Sequence, residues 1–430
     1  MRAYCTIGRC GGRSAALGVF ALLCAAALVA ASRGDEPQGG RPADRGAYGR
    51  WQNGPSGPAA AFPIAVWLQD PRNAPKYRRI GVNLYVALWQ GPTAGQLAEL
   101  KRHDMPVICE QNAYALKHLD EKIIVGWMHG DEPDNAQSLP GGNGYGPPVP
   151  PHAIEDDYRK IRGNDPTRPV MLNLGQGVAW DGWYGRGVRT GHAEDYPQYV
   201  RGGDIVSFDI YPAVHDKPAV AGNLWYVARG VRRLKDWAGA ERIVWNCIEC
   251  TRISNPRAKP TPAQVKAEVW MSLVHGSQGL IYFCHQFEPR FIEAGLLADD
   301  EMARAVGAIN REIQQLAPVL RSPSLPGEAT VAVEPAAVAP DMARLLGPAG
   351  IAVAVKKHQG ATYLFAVRME RTPAKATFHV PGLSGEATAD VLGEKRTLRV
   401  RDGRFLDAFD ANAVHLYRVD SSARQGPAEE

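Results

Sequence analysis

Residues 123–135 read I-I-V-G-W-M-H-G-D-E-P-D-N. Ile123, Ile124, Val125 and Trp127 make an apolar, partly β-branched run of strand length, which Gly130 and Pro133 end. Proline cannot continue a ladder, so the chain must turn there. The carboxylates of Asp131 and Glu132 therefore emerge where a buried strand becomes a loop. Side chains on loops held by a rigid scaffold carry much of enzyme chemistry, whereas capping the turn is the plainer use of the same acids.

Outward from this stretch the pattern repeats. Short apolar runs at 62–69, 80–88, 106–112, 123–129, 169–174, 205–211, 242–249 and 280–286 read as strands. Helical spacing fills 94–103, 153–162, 224–237, 262–275 and 300–316; in the third of these Leu224, Val227, Ala228, Val231 and Leu234 share one face. Strands that are apolar on both faces and alternate with helices imply parallel β wrapped by α. Eight such units match the ~250 residues of a (β/α)8 barrel, a TIM barrel. Helix-to-strand connections are short (103–105, 238–241). Strand-to-helix connections such as 133–151 and 175–192 are long, and they build the active face of such a barrel.

The ends differ in character. Arg2, Arg9 and Arg13, an apolar run at 15–30 and a small-residue exit at Val29-Ala30-Ala31 make residues 1–31 a secretory signal peptide, so export to a periplasmic or extracellular space is expected. Residues 32–61, rich in Gly, Pro, Arg and Ala without periodicity, read as a flexible linker. The barrel is expected over 62–321. Beyond it, alternating runs at 330–333, 351–355, 362–367, 375–380, 387–391, 397–400, 404–407 and 414–417 suggest a small antiparallel β-sandwich over 322–420, with a disordered tail at 421–430.

Composition narrows the function classes. Loss of the three leader arginines takes the formal net charge from +4 to +1. Charges are interspersed, so neither nucleic acid nor, after leader cleavage, a membrane surface is an expected partner. Cys109, Cys247, Cys250 and Cys284 sit in or beside apolar runs. The C-x-x-C at 247–250 puts its cysteines on opposite faces of a strand, and no second pair or His-x-x-x-His joins it, so small buried hydrophobes are the expected use. No metal or organic cofactor is expected.

A second acid, Glu249, closes the strand I-V-W-N-C-I-E at 243–249, where alternation puts Trp245, Cys247 and Glu249 on one side. If strands four and seven hold their barrel places, Glu132 and Glu249 face each other across the rim. Two carboxylates across a sugar-sized gap are what glycosidic cleavage needs, one protonating the leaving oxygen and the other attacking or activating water.

The stretch Gly130-Asp131-Glu132-Pro133 ending strand four, with Glu249 closing strand seven, resembles the clan A glycoside hydrolases, retaining enzymes on a (β/α)8 barrel. The tail runs Y-L-F-A at 363–366, F-L-D-A-F at 405–409 and A-V-H-L-Y at 413–417 resemble the β-sandwich often appended to such barrels. The resemblance implies Glu132 as acid/base, Glu249 as nucleophile, Tyr211 as the tyrosine that hydrogen-bonds the nucleophile, and a carbohydrate as substrate. Clan members usually carry Asn before the acid/base, where this chain has Asp131. Three readings of Asp131 stand open: a neighbouring carboxylate that raises the pKa of Glu132 and helps keep it protonated, the acid itself in place of Glu132, or a loop side chain with no part in the chemistry.

Trp67, Trp180 and Trp183 fall at or beyond strand ends, where sugars stack on aromatic faces and where core packing also places them. Gln69, Gln111, His129, Asn173, Asp209 and His285 sit near the expected rim and could bond hydroxyls or loop backbone. Glu110 is the rival carboxylate. Two other readings stand beside the hydrolase: a carbohydrate-binding protein on a degenerate barrel, for which Asp131 is the hint, and a metal-dependent barrel hydrolase, disfavoured because no His-x-His follows the first strand.

Overall fold

The computed structural model describes residues 46–55, 61–325, 329–334, 338, 340–347 and 349–420; the expected leader and tail lie outside them. Its first sheet is parallel and contains β1 (Ile64–Trp67), β2 (Leu84–Val86), β3 (Val107–Glu110), β4 (Ile124–Met128), β5 (Val170–Leu174), β6 (Ile205–Phe208), β7 (Ile243–Val244), β8 (Asn246–Glu249) and β9 (Leu280–Phe283). β1 pairs with both β2 and β9, β7 pairs with β6, and β8 pairs with β9. β7 and β8 are two halves of one strand interrupted at Trp245, and together they close the barrel.

Strand alternation divides two cores. Trp67, Val86, Ile108, Met171, Ile205, Trp245, Cys247 and Ile281 fill the lumen. Val66, Tyr85, Val107, Leu172, Phe208, Ile248 and Tyr282 pack outward under the helices. Burial on both faces explains why these strands read as continuous apolar runs. The outer layer is α1 (Ala74–Arg79), α2 (Ala94–Arg102), α3 (Pro151–Asn164), α4 (Tyr196–Tyr199), α5 (Trp225–Ala238), α6 (Pro262–Val274) and α7 (Asp300–Arg321). A 3-10 turn at Ala115–Lys117 stands between β3 and β4 in place of a helix. Capping boxes set two helix starts, Thr93 with Gln96 for α2 and Thr261 with Gln264 for α6.

Residues 46–55, inside the stretch whose composition reads as a linker, pack against the barrel. Trp51 joins the lumen cluster. Trp245 Nε1 donates to Tyr48 Oη at 2.8 Å, and that hydroxyl donates to the Gln278 carbonyl at 2.7 Å. This segment covers the N-terminal end of the strands, opposite the long loops.

The C-terminal part is antiparallel: β10 (Thr330–Glu334), then α8 (Pro340–Leu346), β11 (Ile351–His358), β12 (Ala361–Arg368), β13 (Ala374–His379), β14 (Glu386–Val391), β15 (Arg396–Arg401), β16 (Arg404–Phe409) and β17 (Val414–Asp420). β15 meets β16 only at the Arg401–Arg404 pair. The sheet therefore folds there into two layers around Phe378, Phe405, Tyr417 and Val419. Its outer face extends the barrel core, with Phe365 of β12 5.1 Å from Trp270 of α6. The architecture is the barrel with an appended antiparallel sandwich that the resemblance implies.

Candidate active site

Alternation brings Asn173 of β5, Ser207 of β6 and Cys247 of β8 to the top of the lumen. Asn173 Oδ1 accepts from Ser207 Oγ at 2.6 Å and lies 3.9 Å from the Cys247 sulfur. With its oxygen so engaged, Asn173 turns Nδ2 outward to donate to Asp131 Oδ1 at 2.9 Å. Asp209 follows β6, and Glu132 follows Asp131. Glu132 has a φ of 44°, a left-handed conformation that costs a non-glycine residue on the order of 1–3 kcal/mol and persists only when its surroundings hold it. Here its N–H donates to the Asn173 carbonyl at 3.2 Å and its carbonyl accepts from Asn135 N–H at 3.0 Å.

The three acids act on one another. Burial holds Glu132 well above the ordinary glutamate range, and the charges of Asp209 and Asp131 push it further. Burial pushes Asp131 up to about 7 against the opposing Asn173 hydrogen bond. Burial also raises Asp209, against hydrogen bonding with Glu132 and Tyr211. Glu132 and Asp209 are thus within hydrogen-bonding reach once one is protonated. Asp209 Oδ1 and Tyr211 Oη are buried without a geometrically formed hydrogen bond, although each influences the other's protonation. Like charges so close cannot all ionise. A cluster raised in this way can hold a carboxylic acid beside a carboxylate, which is what paired acid and base chemistry requires.

Residues with no sequence signal fix this cluster. Asn135 Nδ2 donates to Glu132 Oε2 at 2.8 Å, and Asn135 Oδ1 accepts from Trp183 Nε1 at 2.7 Å, so the indole sets which end of the amide faces the acid. Asp134, fully buried, accepts from Gly175 N at 2.8 Å and from Tyr196 Oη at 2.9 Å, joining the exits of β4 and β5 to α4. Asp181 bonds Arg229 and Arg233 of α5 and anchors the loop bearing Trp180 and Trp183. Trp180 stands 6.2 Å from Trp183 and 5.6 Å from His215.

A second, apolar group forms beyond β9. Tyr211 and Phe283 lie 5.1 Å apart. His285, whose pKa burial lowers to about 4, packs with Phe283, Phe287 and Phe291. Trp67 faces the lumen. Glu110, half-buried at the end of β3, is raised by burial alone. A cavity of about 830 Å³ lies at the opposite barrel end, lined by Tyr48, Phe62 and Gln278 among others, and touches none of the clustered acids. Among the described residues no group of three His, Cys, Asp or Glu side chains is arranged to hold a metal ion.

Four expected site residues turn away. His129 continues the outward face of β4, bonding the Gly202 carbonyl at 2.7 Å. Gln111 donates to the Ile161 carbonyl and accepts from Asn164, both on α3. Gln69 accepts from Tyr77 of α1 and donates to the Glu293 carbonyl; the left-handed Leu68 just before it, φ 48°, breaks the alternation. Glu249 is fully buried. Its Oε1 accepts from Ala213 N at 2.6 Å and its Oε2 from Val214 N at 2.9 Å, with Glu268 of α6 as its side-chain neighbour. Glu249 is the last residue of β8, where the ladder no longer dictates direction, and the two loop amides capture it. The structure thus joins Glu132 to Asp209 and not to Glu249.

No family model matches the sequence, and no curated protein does. Solved structures similar in fold include an alpha-amylase from Geobacillus thermoleovorans complexed with acarbose, 10% identical over 86% of this chain and 98% of its own, TM-score 0.46. A GH30 endoxylanase from Clostridium papyrosolvens is 10% identical over 84% and 96%, TM-score 0.44. A putative alpha-galactosidase from Bacteroides fragilis is 9% identical over 84% and 79%, TM-score 0.49. With TM-scores below 0.5, the chemistry has to come from this chain's own residues.

Proposed function

We propose that the chain is an exported glycoside hydrolase with Glu132 as general acid and Asp209 as its partner carboxylate. The observation that carries this reading is the contact of these two acids, with Asp131 beside them, on the face built by strand-to-helix loops. Glu132 gives its proton to the leaving glycosidic oxygen while Asp209, which has a free acceptor at Oδ1, attacks the anomeric carbon and forms a glycosyl ester. Glu132, now a carboxylate, takes a proton from water; that water attacks the same carbon and frees Asp209. Retention needs carboxyl groups about 5–5.5 Å apart and inversion roughly 6.5–9.5 Å. A pair already in contact reaches the shorter separation with less opening, which favours the retaining route. Asp131, by holding Asn173, keeps a hydrogen-bonding amide at the floor of the site for a sugar hydroxyl.

The test is turnover of a panel of aryl glycosides and polysaccharides by the chain from residue 32 onward, beside Glu132→Gln and Asp209→Asn. Wild-type turnover lost in both variants supports the assignment; turnover surviving in both refutes it. A carbohydrate-binding protein without turnover is the second reading, favoured by the absence of a sugar-sized gap between Glu132 and Asp209. It predicts saturable glycan binding with no product, unchanged in either variant.

A further inference from the structure

Under α6 lies a second pair of carboxyl groups that the proposed reaction does not use. Glu249 and Glu268 are both wholly inaccessible. Neither oxygen of Glu268 has a hydrogen-bond partner among protein donors, while both oxygens of Glu249 accept from loop amides, at 2.6 Å and 2.9 Å. The two side chains are within hydrogen-bonding reach of each other. Two carboxylates cannot both remain charged in an apolar contact, and a neutral acid facing an ionised one is the arrangement that satisfies the leftover oxygens.

We infer that Glu249 and Glu268 hold one proton between them, and that this pair is a positioning device for the β6 exit. The ionised half, on Glu249, clamps the 213–214 backbone; the protonated half, on Glu268, donates to it. The clamped segment begins four residues after Asp209 and two after Tyr211, so the pair holds the strand exit that presents the partner carboxylate. Glu249 is then a positioning residue, acting through backbone amides.

The surroundings leave the proton nowhere else to go. Just past β8 the neighbouring ionisable group is Cys250, which feels Glu249, together with Cys284 beyond β9 and Asp299 ahead of α7. Lys266, on α6 itself, turns to Glu312 of α7. His215, in the clamped loop, bonds Gln176 and accepts from Lys217 N. Among the described residues no cation acts on either carboxyl. Burial pushes Glu249 to about 7 and Glu268 well above the ordinary 4.5. Because both are raised, the folded state binds more protons than the unfolded one. Stability from the pair is complete below about 4.5, where both carboxyls are neutral; it declines as the one-proton form takes over near 7 and is lost when that last proton leaves at higher pH.

The experiment compares thermal unfolding of the chain from residue 32 onward at pH 5 and pH 9, wild type against Glu268→Gln, with hydrogen exchange of the 213–214 peptide at both pH values. The amide introduced by Glu268→Gln donates an N–H to Glu249 without a titratable proton. The wild-type Tm should therefore fall more steeply than the variant's, by on the order of 2 °C. The wild-type peptide should lose protection at pH 9, beyond the intrinsic acceleration of exchange, and the variant's should keep it. Glu249→Gln removes the second ionisation from the other side and should flatten the same Tm profile. Parallel Tm profiles in wild type and variants, or a wild-type 213–214 peptide equally protected at both pH values, overturn the inference. The wild-type exchange measurement decides even if neither variant folds. No readout involves turnover, so a failed hydrolase assignment and a failed clamp remain distinguishable.

Discussion

Glu132 and Glu249 each stand where a barrel strand gives way to a loop, and each meets a second carboxyl. Burial raises both, but their access and their partners differ. Glu132 keeps partial access to solvent, takes its hydrogen bond from a side-chain amide that an indole orients, and faces Asp209 over the lumen. Glu249 is sealed, spends both oxygens on backbone amides and faces a helix. The contrast teaches that a strand-end acid can serve as a reagent, the role proposed for Glu132, only where lone pairs remain free and a path to solvent remains open. A carboxyl pair turned instead to the helix layer becomes a clamp.

The sharpest way to break this comparison is to remove one acid from each pair. Glu132→Gln should lower turnover about 10²–10⁴-fold, the usual weight of a general acid, with unfolding temperature unchanged or raised, because the neutral amide needs no proton and can still donate to Asp209. Asp209→Asn should match it. Glu249→Gln should cost less than ~10-fold in turnover, since it reaches the site only through the 213–214 backbone. Equal losses on the two sides would make Glu249 a reagent and return the nucleophile to β8. The pH profile adds a second reading: Glu132 must be protonated to act, and its pKa is raised, so the alkaline limb should lie well above the ordinary glutamate range.

A smaller effect tests how the open pair is held. Asp134→Ala leaves the Gly175 N–H and the Tyr196 hydroxyl unpaired in a buried place, at a cost of about 2–4 kcal/mol. Denaturant unfolding of wild type and variant would measure it. Asp134→Asn keeps an acceptor for one of the two donors and should lose about half as much. A variant with wild-type stability would mean that the β4 and β5 exits are joined by something other than this carboxylate.

Much of the scaffold was legible because it rests on periodicity. Burial on both faces gives continuous apolar runs, so all eight barrel strands stood out, and the one-sided strands of the sandwich showed by alternation. Asn173 and Asp209 could be placed at the rim for the same reason. Directions past a strand's last paired residue were not legible. Gln69 follows a left-handed Leu68, and Glu249 answers to amides 35 residues earlier in the chain. The 46–55 plug was hidden by composition, since its Gly-rich sequence carries only Tyr48 and Trp51 as anchors. Asn135 had no signal, because a polar residue after Asp-Glu-Pro-Asp reads as ordinary turn chemistry until Trp183, 48 residues on, is seen to orient it.

That indole supplies the finest test of the comparison, because it separates orientation from contact. Trp183→Phe keeps an aromatic ring beside Trp180 but removes the N–H that holds Asn135 Oδ1. The amide is then free to flip, and Glu132 loses the donor that stabilises its charged form. Losing such a donor raises a carboxyl pKa. The alkaline limb of the pH–rate profile should therefore move upward, and kcat should fall about 3–10-fold while KM changes little. Asn135→Asp, which replaces the donor with a further carboxylate, should move the limb in the same direction and further. If Trp183→Phe instead raised KM and left the limb in place, the indole would be a sugar-stacking surface, and the orientation of Glu132 would rest on its strained backbone and the Asn173 carbonyl alone.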